Sequence, residues 1–313
     1  MKGLELAREY YRAYGENMLK TAFGDVMDRI TVGLVGEGSE CLGFDDEISR
    51  DHDFDAGFCM WIDACDEREF GFRLERAYSK LPKEFMGVKR SLLSPAGGNR
   101  HGVIVTEDFY TRLLGSPEPP SFPEEWLKIP QSYLAVLSAG EIFKEGEGKF
   151  MKIRRVLQNG YPDDVRKKKL AACLAFMGQS GQYNYVRCVS RNESGAAQFA
   201  VFEFVKNAVK TVYLLNGKYC PFYKWAFRGM RELELLSDLE APLTYLIETP
   251  NDKTSAECKA GIIEDTASMI ISELKKQGLS DATCNNLDTH AYSVTDKIRD
   301  AALRNMHVMD GED

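Results

Sequence analysis

The sequence predicts an α+β protein: a small sheet with flanking helices over residues 1–118, followed by an all-α helical bundle over residues 119–313. Three observations carry this. Short apolar, β-branched runs alternate with helical spacing only in the first part of the chain. The stretch from Pro117 to Pro123 then packs four prolines into seven residues, which neither a helix interior nor a central strand tolerates. Beyond it, apolar residues recur at three- and four-residue spacing almost without interruption.

Leu4, Ala7, Tyr11, Tyr14, Met18 and Ala22 form one apolar stripe, so residues 4–22 are expected to be an amphipathic helix. Ile30-Thr31-Val32-Gly33-Leu34-Val35 reads as a strand that breaks into the turn Gly36-Glu37-Gly38-Ser39. A second strand is expected over Asp51–Ile62, a helix over about 67–81, a Gly- and Ser-rich loop over Ser91–Arg100, and a third strand over Gly102–Thr106. In the second part, helices are expected at about 126–138, 149–158, 163–192, 196–216, 219–236, 254–277 and 291–305. Tyr161-Pro162-Asp163-Asp164 marks one start, because Pro ends the preceding element and Asp satisfies free N–H groups of the next helix.

The 313 residues carry 40 Lys and Arg against 48 Asp and Glu, a net charge of -8, which argues against a chain built to coat nucleic acid. Apolar runs fall far short of the ~20 residues that span a bilayer, so no membrane association is expected. Met1 to Glu9 mixes charge into every turn and shows no export signal. Eight cysteines are scattered without a Cys-x-x-Cys pair, as reduced thiols of the cytoplasm are.

The chemistry is concentrated in Gly36-Glu37-Gly38-Ser39, eleven residues, then Asp51-His52-Asp53-Phe54. Two aspartates two apart on a strand project from one face, with His52 and Phe54 on the other. Paired carboxylates suit a hard divalent cation that also takes phosphate oxygens, and a Gly-Ser turn lets backbone N–H groups and a hydroxyl approach phosphate. This combination resembles the DNA polymerase beta type nucleotidyltransferase superfamily, whose signature is a Gly-Ser turn followed by an Asp-x-Asp strand and a third acid on a later strand. Within it the chain is similar in architecture to the bacterial branch that joins a nucleotidyltransferase domain to a helical domain, as aminoglycoside nucleotidyltransferases do. Gln182-Tyr183-Asn184-Tyr185 and Pro221-Phe222-Tyr223-Lys224-Trp225 extend the resemblance to a family of such two-part proteins with no substrate attached to it.

The resemblance implies a small mixed sheet and transfer of a nucleoside monophosphate from an NTP, ATP first, to an acceptor with release of pyrophosphate. It implies Mg2+ or Mn2+ as cofactor, Asp51 and Asp53 as catalytic metal ligands, and Gly38 and Ser39 as holders of the triphosphate. The acceptor is open, a small molecule being favoured over protein or RNA. The departure is in the third strand, Gly102-Val103-Ile104-Val105-Thr106, which contains no carboxylate; Glu107 is the nearest candidate for the third catalytic acid and Asp108 the second. A chain lacking that acid is expected instead to be a catalytically weak NTP-binding regulator or partner-binding protein on the same fold.

The other polar residues have plainer readings beside functional ones. Strand alternation turns His52 away from the aspartates, and Asp45, Asp46 and Glu47 fall in a solvated loop. Arg50 at a strand start is expected in a surface ion pair. Arg166-Lys167-Lys168-Lys169 is expected on a solvated helix face answering Asp163 and Asp164. Gln179, Gln182, Tyr183, Asn184, Arg187 and Arg191 form a polar band that either hydrogen-bonds between helices or meets substrate, Arg187 with Arg191 being an i,i+4 pair able to grip phosphate. Tyr219, Tyr223, Lys224, Trp225 and Arg228 gather aromatic faces and cations, with Lys224 the candidate for nucleotide binding.

Overall fold

The computed structural model describes residues 1–50, 55–90 and 101–311. The chain separates into two compact units, residues 1–120 with 133–159, and residues 121–132 with 160–313. The architecture is α+β, as the spacing predicts, with a small mixed sheet and a helical second part.

The first unit opens with α1 (Gly3–Tyr10) and α2 (Glu16–Ala22), joined through a π-helical turn at Tyr11–Gly15. The strands are β1 (Thr31–Leu34), β2 (Cys59–Ile62), the two-residue β3 (Glu84–Phe85) and β4 (Val88–Lys89), and β5 (Gly102–Val105). Between them lie α3 (Ala64–Asp66), a π-helical turn and α4 (Phe72–Ser79), and after them α5 (Thr106–Leu114). Two further elements close this unit, β6 (Glu141–Lys144) and α8 (Lys149–Gln158). The intervening α6 (Pro123–Leu127) belongs to the second unit, and the chain returns to the first within α7 (Gln131–Ser138).

The sheet order is β5-β2-β1-β6, with β1 antiparallel to both neighbours and β2 parallel to β5. β2 is apolar throughout because both of its faces are covered. Met60 and Ile62 pack in the core with Tyr10, Leu19, Phe70 and Leu74, whereas Trp61 stacks on Phe150 of α8 at 4.2 Å and meets Phe109 of α5 edge-on. Gly33 has no substitute in β1, since a Cβ there would strike the Glu141 carbonyl oxygen and lie 3.0 Å from Ile142 Cα.

Two differences from the sequence reading concern strand and division. The strand expected over 51–62 starts, among the described residues, only at Cys59; Asp55–Phe58 is not strand. Phe58 is nonetheless fully buried against the rings of Tyr10, Tyr11 and Tyr78, so its apolar character reflects aromatic packing rather than a ladder. Residues 133–159, placed by sequence in the helical part, lie in the first unit, because β6 pairs with β1 and α8 covers Trp61. The loop expected over Ser91–Arg100 lies outside the described residues.

The second unit is built around α9 (Asp163–Met177), which continues through a π-helical turn (Gly178–Tyr185) into α10 (Val186–Ser190). Around it stand α11 (Ser194–Leu215), α12 (Tyr223–Met230), α13 (Glu240–Glu248), α14 (Lys253–Lys276), α15 (Leu287–Asp296) and α16 (Ala301–Asn305). Leu170, Leu174 and Met177 share a core with Phe204, Val212, Ile263, Ile270 and Val294. The basic run at its start is not a solvated face: Lys168 and Lys169 are fully buried. Lys168 Nζ donates to the His307 carbonyl at 2.6 Å and Lys169 Nζ to that of Gly311 at 2.9 Å, so the final segment supplies the oxygens that water would otherwise provide. Lys167 keeps the expected partner, Asp163, at 2.6 Å.

Candidate functional site

β1 and β2 pair antiparallel with Gly33 opposite Cys59, so the chain leaving β1 and the chain entering β2 meet at one end of the sheet. β2 and β5 pair parallel with Cys59 opposite Gly102, which brings the start of β5 to the same end. The Gly36–Ser39 turn, the segment Asp55–Phe58 and His101 therefore converge in the first unit.

Gly38 is extended (φ -69°, ψ 149°), and Ser39 opens a short 3-10 turn, Ser39–Leu42, which Gly43 closes in the left-handed region at φ +75°. The turn is held by Cys41 N–H donating to Gly38 O (3.1 Å) and Phe44 N–H donating to Ser39 O (2.9 Å). Among the described residues, the N–H groups of Gly38 and Ser39 and the Ser39 hydroxyl make no hydrogen bond, which leaves three donors on two neighbouring residues. Beside them Glu37 pairs with Arg112 of α5 at 2.9 Å.

Asp51, His52, Asp53 and Phe54 lie outside the described residues, as does the side chain of Arg50. Of the described carboxylates, the one nearest to them in the chain is Asp55, whose Oδ1 lies 2.8 Å from His101 Nδ1, with both side chains only 9% exposed. Gly57 makes this pairing possible: a Cβ there would lie 2.6 Å from His101 Cγ. Neither Asp55 nor His101 was singled out by sequence. The only signal was negative, a third strand without an acid and a histidine at its threshold.

Glu107 is not brought to this end of the sheet. It stands in the first turn of α5, past the far end of β5, where Oε2 accepts the Ala64 N–H at 2.9 Å and Oε1 lies 3.3 Å from Lys149 Nζ. The carboxylate thus satisfies the start of α3. Asp63 does the same for α8, accepting the Lys149 N–H at 3.1 and 3.3 Å; burial raises its pKa above the usual carboxylate range, with that N–H opposing the rise and the charge of Glu107 adding to it. Asp108 is exposed in the same helical turn. Asp45, expected in a solvated loop, is buried and accepts the Gly3 N–H at 2.8 Å at the start of α1. Among the described residues, no group of three or more His, Cys, Asp or Glu side chains is arranged to hold a metal ion.

Arg187 and Lys224 belong to the second unit. The Arg187 guanidinium lies 4.7 Å from the Tyr183 ring centroid, and Arg191 Nη1 donates back to the Arg187 carbonyl at 3.3 Å rather than forming a side-by-side clamp. Gln182 is structural: it donates to Glu264 and to the Asn285 carbonyl and accepts the Leu287 N–H at 2.8 Å. Lys224 Nζ lies 5.0 Å from the Trp225 ring and Arg228 5.9 Å from it, while the exposed rings of Phe222 and Tyr223 stand 4.3 Å apart. Of the residues grouped by sequence, Lys224 and Arg228 meet the Trp225 ring, whereas Tyr219 packs edge-on against Tyr161 at 4.8 Å and Tyr223 lies beside Phe222.

Residues 126–226 match the model of a domain of unknown function, DUF4037. No curated protein matches the chain. A solved structure, that of a nucleotidyltransferase-like protein from Exiguobacterium sibiricum 255-15, aligns over 87% of this chain and 77% of that chain, with 12% sequence identity and a TM-score of 0.38. No helix among the described residues is long and apolar enough to cross a membrane.

Proposed function

We propose that this protein transfers a nucleoside monophosphate from an NTP, ATP first, to an acceptor hydroxyl and releases pyrophosphate. The observation that carries this reading is topological. The Gly38-Ser39 turn follows β1 and the segment Asp55–Phe58 enters β2 at the same end of the sheet, because the two strands are antiparallel with Gly33 opposite Cys59, and Asp51 and Asp53 precede that segment in the sequence. The three open donors of Gly38 and Ser39 suit triphosphate oxygens. The paired carboxylates Asp51 and Asp53 are a donor set for Mg2+ or Mn2+, which when bound neutralises charge on the phosphates. Ser39 and Gly38 would orient the chain of phosphates so that the acceptor oxygen and the leaving oxygen stand in line at the α-phosphorus. Arg187 and Lys224 are further nucleotide-binding candidates in the second unit. A small hydroxylated acceptor is favoured over protein or RNA, and the net charge of -8 weighs against RNA.

A second reading, an NTP-binding regulator without turnover, is favoured by one observation: the strand Gly102–Val105 carries no carboxylate and Glu107 is engaged at the start of α3. Calorimetry with each NTP and Mg2+, beside label transfer from the α-labelled NTP to hydroxylated small molecules, tRNA and the protein itself, separates the two. Binding with transfer supports the enzyme, binding alone the regulator, and neither overturns both.

A further inference from the structure

If the third acid is missing from β5, the proton of the acceptor hydroxyl needs another destination. Resting on the nucleotidyl-transfer reading, we propose that His101 receives this proton, held in position by Asp55. His101 immediately precedes β5, and β5 begins opposite the first residue of β2, so the imidazole belongs to the same end of the sheet as the Gly38-Ser39 turn. Asp55 Oδ1 stands 2.8 Å from Nδ1, so the carboxylate faces that edge of the ring and Nε2 is the nitrogen left to meet an acceptor hydroxyl. Among the described residues Nε2 has no partner.

The surroundings fix the ring. Its face lies against Gly57, where any side chain would displace it. Behind it Gly102 takes φ +98°, its N–H donating to the Phe58 carbonyl at 2.9 Å, and the next N–H, of Val103, donates to Glu75 Oε2 of α4 at 3.0 Å. A Cβ on Gly102 would lie 3.0 Å from Glu75 Oε2 and 3.5 Å from the Tyr78 ring. Among the described residues, Asp55, Glu75 and Tyr78 are thus the titratable groups packed around this corner. The Gly102 bond is the first of the β2–β5 ladder, and with the Val103 bond to Glu75 it sets where His101 stands.

In the proposed step the acceptor O–H gives its proton to Nε2 as its oxygen forms a bond to the α-phosphorus. The bond from that phosphorus to the bridging oxygen breaks, its electron pair leaves with pyrophosphate, and the imidazolium later returns its proton to solvent. Asp55 touches no reacting atom and is a positioning residue.

The test measures label transfer from α-labelled ATP, GTP, CTP and UTP with Mn2+ to glycerol, inositol, kanamycin, bulk tRNA and the protein itself, with NTP affinity followed by calorimetry. Expected for His101→Gln is a fall in transfer rate of about 10²–10⁴-fold with NTP affinity unchanged. In His101→Gly, added imidazole is expected to restore transfer, and Asp55→Asn to lower kcat at least about tenfold without moving the NTP KM. A His101→Gln rate within threefold of the parent, while Asp53→Ala abolishes transfer, overturns the proposal and leaves nucleotidyl transfer standing. If the parent transfers no label to any acceptor, the underlying reading falls and this proposal with it. Should His101→Gln lose NTP affinity as well, Asp55→Asn decides: a lowered kcat at unchanged NTP KM supports the proposal, and an unaltered kcat overturns it.

Discussion

Ser39 and Gly57 are where single atoms bear most directly on the proposed chemistry. Ser39→Ala removes one of three open donors and leaves the backbone turn intact, so NTP affinity is expected to fall by about 1 kcal/mol, roughly fivefold, with no change in thermal stability. Gly57→Ala places a methyl against His101 Cγ and is expected to slow label transfer more than it weakens NTP binding, a contrast steady-state kinetics reads directly. Burial supplies a pH effect of known sign. It pushes the hydroxyls of Tyr11 and Tyr185 up to about 12, above the ordinary value near 10 that they regain on unfolding. Above pH 10 the unfolded chain has given up protons that the folded chain keeps, so stability falls as pH rises from 10 towards 12. Urea midpoints across that window are expected to decline less in Tyr185→Phe than in the parent. None of these environments was legible in the sequence. Gly38 and Ser39 were found because spacing to two aspartates marks them, whereas Asp55, Gly57 and His101 meet only through the pairing of β2 with β5.

Helices were the most legible elements, because a stripe at three- and four-residue spacing survives in isolation; Leu4 to Ala22 and the later stretches at 163–192, 196–216 and 254–277 correspond to α1–α2, α9–α10, α11 and α14. Short strands were less so. Glu141-Ile142-Phe143-Lys144 has only four residues and no flanking strand signal, and becomes β6 because β1 offers it a free edge. Lysine burial was illegible for a related reason: Lys168 and Lys169 find their acceptors in carbonyls more than a hundred residues away. A further long-range charge holds the edge of the first unit together. Arg154 of α8, buried, donates to the carbonyls of Leu137, Ser138, Ala139 and Gly140, which end α7 and lead into β6. Arg154→Met leaves those oxygens without donors and is expected to destabilise the fold by about 3 kcal/mol in denaturant unfolding.

For the whole molecule, the α+β class and the helical second part followed from pattern, while the division of the chain did not. A proline-rich stretch marks a real break in regular structure, yet residues 133–159 return to the first unit, and only pairing of β6 with β1 reveals it. A fragment of residues 119–313 therefore carries β6 and α8 without β1 and Trp61, and is expected to expose that apolar surface and bind a hydrophobic dye, whereas residues 1–159 unfold cooperatively. The central claim concerns chemistry at the end of the sheet where β1 leaves and β2 begins. It is tested most directly by pyrophosphate release from each NTP with Mg2+ or Mn2+ in the presence of the acceptor panel, in the parent chain and in folded Asp51→Ala and Asp53→Ala. The account predicts metal-dependent release in the parent that is lost in both variants. Release that persists in both at the parental rate, or a parent that binds NTP and releases none, would contradict it.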